Sequence, residues 1–220
     1  MAKIEHASCS ECGQLHCYRR NKKYPDFCLT EATSQQQLEA TVDTYRGESE
    51  DARVARAAAE VEGLYYCQIS RVEEIVAFSR RIGAKRIGIA SCLGLIEETR
   101  IFTKVLRAAE LEPFTVLCKV GSVDKTDIGI ANELKIQCDS FEACCNPILQ
   151  AQLLNQENTD LNVIMGLCVG HDSLFIKHSE ALVTTLVTKD RVTGHNPAAT
   201  LYTSKTYNAQ ILDPEHLRKL

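Results

Sequence analysis

Between residues 86 and 187 short apolar runs alternate with helix-like segments, and that alternation constrains the fold more than any other feature of the sequence. The runs are Arg86-Ile87-Gly88-Ile89-Ala90, Phe114 to Leu117, Asn162 to Leu167 and Ala181 to Val187. Each has the length and continuous apolarity of a strand buried on both faces. The stretch from Leu95 to Glu110 carries Leu95, Phe102, Val105, Leu106 and Ala109 at helical spacing. Asn146-Pro147 opens a helix toward Leu154, with asparagine as N-cap and proline in the first turn, and His195-Asn196-Pro197 repeats that start. Alternating β and α segments predict an α/β fold: a mainly parallel, four- or five-stranded open sheet flanked by helices.

Two helices precede the first strand. An alanine-rich segment from Asp51 to Glu62 reads as helix ending at Gly63. In the next, Ser70 and Glu73 form a capping box, Val72, Ile75, Val76 and Ile82 make one apolar face, and Gly83 supplies the stop. The first thirty residues, polar and cysteine-rich, lack hydrophobic periodicity. The expected organisation is a cysteine-rich metal-binding segment over residues 1–47 and an α/β domain over 48–220.

Several function classes are disfavoured. A formal net charge of −4 opposes non-specific attraction to nucleic acid. No apolar run approaches the roughly 20 residues of a membrane helix. The N-terminus lacks the apolar core of a secretory signal, so a cytoplasmic protein is expected. Gly88 and Gly94 do not make a dinucleotide fingerprint, and no phosphate-binding P-loop sequence occurs.

Eleven cysteines require a role. A reducing cytoplasm disfavours disulfides, which leaves metal ligands, nucleophiles and small buried hydrophobes. Cys9-x2-Cys12-x4-Cys17-x10-Cys28 places four thiols within twenty residues. A C-x2-C pair reaches one ion from a tight turn, and Gly13 suits that turn. Four thiolates satisfy tetrahedral zinc or a [4Fe-4S] cluster, and metal would supply folding energy to a segment with little else to fold around. His6 and His16 are possible substitutes for one sulfur. The run departs from paired zinc-ribbon knuckles, which favours iron–sulfur.

The later cysteines fall at strand ends. Cys92 follows the first strand, Cys118 ends the second, Cys168 ends the third, and Cys145 immediately precedes the Asn146-Pro147 helix start. In an open parallel sheet the carboxyl ends of neighbouring strands share the edge where ligands bind. Cys92, Cys118, Cys145 and Cys168 are therefore expected to converge on a second metal or cofactor site. A single one would read as a buried, inert thiol; the repetition argues for a site. A helix N-terminus favours thiolate at Cys145, and Lys119 adds charge beside Cys118. Cys144 is the alternative to Cys145, while Cys67 and Cys138 are assigned to packing or spare roles. His171, in Gly170-His171-Asp172, is a candidate ligand, proton donor or helix-capping neighbour. Lys189-Asp190-Arg191 reads as a loop end through Asp190 and an anion clamp through Arg191.

These residues carry a resemblance over nearly the whole chain. The runs Cys9-x2-Cys12-Gly13-x3-Cys17, Ile87-Gly88-Ile89-Ala90-x-Cys92-x-Gly94-Leu95, Cys145-Asn146-Pro147-Ile148, Gly166-Leu167-Cys168-Val169-Gly170-His171-Asp172 and Lys189-Asp190-Arg191-x3-His195-Asn196-Pro197 resemble an uncharacterised prokaryotic family with a domain of unknown function. The resemblance implies metal binding and brings no substrate or reaction, so function has to come from the site.

The expected function is that of a metal-binding protein with an iron–sulfur cluster of the [4Fe-4S] type, or zinc as the alternative. As a redox or sulfur-handling enzyme it would act on a small anionic molecule and exchange electrons with a redox partner. Cys92, Cys118 and Cys168 would be ligands, Cys145 the fourth ligand or a nucleophile, His171 a proton donor and Arg191 the substrate anchor. The alternatives without catalysis are a zinc-binding structural or adaptor protein and a metal or redox sensor.

Overall fold

The computed structural model describes residues 8–19 and 23–220. The chain divides into two compact units, one ending at Leu64 and the other comprising Tyr65–Leu220.

The first unit holds short turns at Cys9–Glu11 and His16–Tyr18, helices α1 (Leu29–Ala32) and α2 (Gln35–Arg46), and nearly all of α3 (Glu50–Tyr65). Helix α2 is one the hydrophobic pattern does not announce, because none of its residues is buried. It begins where Ser34 Oγ accepts the Gln37 amide at 3.1 Å, satisfying one of the free donors of the first turn. Residue 47, where the sequence suggested a boundary, is the C-cap of α2 and lies inside this unit. Gly63 does not end α3 as expected. The helix continues to Tyr65, and the left-handed residue after it is Cys67, at φ 57°.

In the second unit the capping box forms as expected. Ser70 donates from both its amide and its hydroxyl to Glu73 Oε2, at 2.8 Å each, and opens α4 (Arg71–Ile82), which Gly83 closes at φ 78°. Then come β1 (Arg86–Ser91), α5 (Ile96–Ala108), β2 (Glu112–Leu117), α6 (Pro147–Gln156), β3 (Leu161–Met165), α7 (His171–His178) and β4 (Leu182–Val187). Two short helices, α8 (Ala198–Tyr202) and α9 (Pro214–Leu217), follow. Asn146 caps α6 through Oδ1, which accepts the Leu149 amide at 3.1 Å.

The strands form one four-stranded, all-parallel sheet in the order β2-β1-β3-β4. The central strands are the most apolar: β1 from Ile87 to Ser91 and all of β3 are buried. Core residues Ala90, Val116, Ile164, Leu154 and Phe175 pack with Cys92 and Cys118 against α6 and α7. Two glycines permit close approaches. A β-carbon on Gly88 would stand 2.0 Å from Asn162 Oδ1, and one on Gly166, at φ 75°, 2.0 Å from Leu95 Cδ1. At the outer edge of β4, Arg71 Nε donates to the Thr185 carbonyl at 2.8 Å and Nη2 to Thr184 Oγ1 at 3.1 Å. Among the described residues no helix is long and apolar enough to cross a membrane.

The connection from β2 to α6 has little regular structure and is held by polar bonds. Lys135 Nζ meets Asp124 Oδ1 at 2.7 Å, Lys125 Nζ meets Glu142 Oε1 at 2.5 Å, and the Cys144 amide donates to the Val123 carbonyl at 2.8 Å. The connection therefore folds back on itself and returns Cys144 and Cys145 to the end of the sheet from which it departed.

Candidate functional site

In the order β2-β1-β3-β4 the connection after β1 leads to β2 on one side and that after β3 leads to β4 on the other, which leaves a crevice at the carboxyl ends of β1 and β3. Backbone hydrogen bonds carry the sheet one step further around it. The Cys92 amide donates to the Met165 carbonyl at 3.0 Å, the Cys118 amide to Ser91 at 2.8 Å, and the Asn146 amide to Cys118 at 2.8 Å. Three cysteines distant in sequence are thereby fixed side by side.

Their side chains meet. The Cys118 sulfur is buried and lies close enough to those of Cys92 and Cys145 to interact with both. It keeps its proton, its pKa raised well above the ordinary thiol range by the neighbouring Cys145 and Cys92 and by burial. Its neighbours shift the other way. Cys92 falls to about 5, chiefly through Cys118, with help from the Gly94 amide and from Lys189 against the cost of burial. Cys145 also falls to about 5, again first through Cys118, then through Lys119 and His171. The Leu93 amide donates to Cys118 Sγ at 3.4 Å. The turn after β1 thus presents successive backbone N–H groups to sulfur, and a β-carbon on Gly94 would sit 3.2 Å from Lys189 Nζ.

Cys168 is placed differently. It is half-buried, and its sulfur accepts from Arg191 Nη2 at 3.3 Å. Its carbonyl accepts the His171 and Asp172 amides at 2.9 and 3.1 Å and so starts α7. Arg191 is raised above its ordinary value, first by that sulfur bond and then by the charges of Cys168, Cys92 and Cys145. Asp190 is a loop-forming residue, its Oδ1 accepting the Val192 and Thr193 amides at 2.9 and 3.0 Å. Lys119 binds the Ala143 carbonyl and the Cys145 sulfur together.

The structure thus brings Cys92, Cys118 and Cys145 together, sets His171 within electrostatic range of Cys145, and pairs Arg191 with Cys168 at the rim. Between the adjacent cysteines, Cys145 is the one that meets Cys118, while Cys144 is buried. Cys67 and Cys138 are exposed and so have no packing role. In the first unit Cys9 and Cys17 are exposed, Cys12 and Cys28 half-buried, and the Leu15 amide donates to Cys12 Sγ at 3.4 Å. His16 Nδ1 is engaged with the Lys23 carbonyl at 2.7 Å, and His6 lies outside the described residues. No cysteine is in a disulfide. Among the described residues no three His, Cys, Asp or Glu side chains stand as a ready-made group around an ion. The donor chemistry at the sheet edge still fits a thiophilic metal: three sulfurs in a connected row, two biased toward thiolate, with amide N–H groups aimed at sulfur. The sequence reading missed those amides and the fully buried Gln150, whose Nε2 donates to Ser91 and Val116. Gly94 was the available sign of a close backbone approach.

Residues 28–186 match the family model described as a protein of unknown function, DUF1847, and the chain belongs to that family. An uncharacterised protein of Methanocaldococcus jannaschii is 40% identical over 205 residues, covering 93% of this chain and 98% of the relative. No solved structure matches the chain.

Proposed function

We propose that this is a cytoplasmic metalloprotein whose sheet-edge centre, held by Cys92, Cys118 and Cys145, carries an iron–sulfur cluster and serves redox or sulfur-handling chemistry. The observation that supports this reading is the buried Cys118 sulfur standing close to both Cys92 and Cys145, with the Leu93 amide donating to it at 3.4 Å. Two cysteines biased toward thiolate beside an enclosed thiol are costly to bury unless something takes up their charge, and all-sulfur donors select zinc or iron–sulfur. Held by three protein sulfurs, such a cluster supplies one-electron transfer and an iron position open to a small molecule.

The chain's own residues then have definite tasks. The Leu93 and Gly94 amides hydrogen-bond to the sulfurs and stabilise their negative charge. The folded-back connection holds Cys145 against Cys118. His171, within electrostatic range of Cys145 at the start of α7, is positioned to give or take a proton at the rim. A second centre is proposed for Cys9, Cys12, Cys17 and Cys28, where the Leu15 amide already donates to Cys12 Sγ.

Protein prepared without oxygen and reconstituted with iron and sulfide is expected to be brown and to contain both elements in stoichiometric amounts. Cys118→Ser should remove the sheet-edge share and Cys12→Ser the N-terminal share. Colourless protein that retains zinc through the same treatment would replace the redox reading with a structural or sensing one. Protein that binds neither metal would end the proposal.

A further inference from the structure

Lys119, Lys189 and Arg191 all reach toward the sulfur row, and no ion-pair partner stands beside any of them among the described residues. Lys119 leaves β2 next to Cys118 and reaches Cys145. Lys189 leaves β4 and reaches Cys92, while Arg191, two residues on, reaches Cys168. Asp190, between them in sequence, commits its carboxylate to the Val192 and Thr193 amides, and Asp172 binds the Ser173 amide at 2.8 Å. Among the described residues the groups that answer these cations are sulfurs and, for Lys119, the Ala143 carbonyl.

We propose that Lys119, Lys189 and Arg191, with His171, form a receptor for a small oxyanion, a sulfate, phosphate or carboxylate group, that is completed when metal occupies the Cys92-Cys118-Cys145 row. The inference rests on the metal reading above and adds the class of ligand to it. Sulfur electron pairs given to a metal share their negative charge with it, so the surrounding ammonium and guanidinium groups are left with positive charge to satisfy. The Arg191 guanidinium offers a planar fork that matches two oxygens, and the lysines act as point charges around it. Cys168 joins this receptor through its sulfur, which accepts from Arg191 Nη2 at 3.3 Å. Binding at two linked places is reciprocal, so metal and oxyanion each raise the affinity for the other by the same factor.

The experiment is calorimetric titration of sodium sulfate, and separately sodium phosphate, into metal-loaded full-length protein and into the same protein stripped by a chelator, in chloride buffer. Metal content and far-UV circular dichroism are measured on every sample first. Loaded protein is expected to bind at least one of the two anions at least about tenfold more tightly than stripped protein. Arg191→Ala and Lys189→Ala should weaken binding to loaded protein about tenfold, the order expected for losing one charged hydrogen bond, with metal content unchanged. Cys168→Ser should also keep its metal, and Lys104→Ala, on the exposed side of α5, should bind as wild type. Loaded protein that ignores both anions overturns the inference while leaving the metal reading intact. So does binding indifferent to Arg191 and Lys189, or equal in loaded and stripped forms. A protein that never takes up metal fails earlier, at the metal analysis, and removes both.

Discussion

Gln150 Nε2 donates to the Val116 carbonyl at 2.7 Å from a side chain with no solvent exposure, and it also reaches the Ser91 carbonyl at 3.3 Å. One side chain of α6 thus ties the carboxyl ends of β1 and β2 together beside the cysteines that follow them. Gln150→Leu keeps the volume and leaves both carbonyls without this donor. Ser91 keeps the Cys118 amide as donor and the substitution removes the partnerless buried Gln150 Oε1, so the Val116 carbonyl alone loses its donor and a loss of about 1 kcal/mol in unfolding free energy is expected. Urea denaturation measures it, and an unchanged midpoint would show that the strand ends need no such tie.

Gly166 adopts φ 75°, and a β-carbon there would fall 2.0 Å from Leu95 Cδ1, a side chain that is itself buried. Gly166→Ala combines a left-handed backbone with overpacking, and we expect it to destabilise by about 2–4 kcal/mol. Because Gly166 precedes Cys168 by two residues, the variant should also disturb the rim. A melting temperature equal to that of the parent protein would contradict the steric account.

Acid should loosen the β2–α6 connection before it unfolds the sheet. Lys135 holds Asp124, and Lys125 holds Glu142, below their ordinary carboxylate ranges. A depressed folded-state pKa gives a contribution fully present above the unfolded value, about 4. It is lost progressively as pH falls below that, toward the folded values. Protection of the amides across residues 119–146, corrected for the intrinsic exchange rate at each pH, is expected to fall between about pH 4 and pH 3 while the protection of β1 and β3 persists. In Asp124→Asn the same segment should already exchange faster at neutral pH and respond less to acid.

The two adjacent cysteines offer a sharp comparison. Cys145 meets Cys118, whereas Cys144 is buried and its amide binds the Val123 carbonyl. Cys145→Ser is expected to lower the metal bound by the second unit after reconstitution, and Cys144→Ser to leave it unchanged. Elemental analysis of the two proteins decides the matter, and equal metal in both would remove Cys145 from the donor set.

The strands were legible because β1 and β3 are covered on both faces, so selection for apolarity acts on every residue and writes a continuous run. The thiol row was legible for a related reason: parallel strands deliver their ends to one edge, so cysteines at strand ends are brought near one another whatever their separation in sequence. Helix α2 was not legible, because a helix with no buried residue carries no stripe. Gly63 misled, since glycine is tolerated inside a helix at modest cost and the left-handed position fell to Cys67 instead. The pairing of Cys168 with Arg191, and the reach of Lys119 and Lys189 toward sulfur, depend on side-chain paths across the crevice. Only the folded chain displays those.

Arg71 gives the outer margin of β4 a property the opposite margin of the sheet is not shown to have. By occupying the Thr185 carbonyl it spends a main-chain acceptor that an incoming extended chain would otherwise use to dock, and its bond to the Thr184 hydroxyl holds it there. Growth of the sheet by recruitment of another polypeptide is thereby discouraged on that flank, and a guanidinium there adds charge repellent to close stacking. Replacing Arg71 with alanine should therefore show itself in colloidal behaviour, as self-association rising with concentration, before it shows in the stability of the monomer.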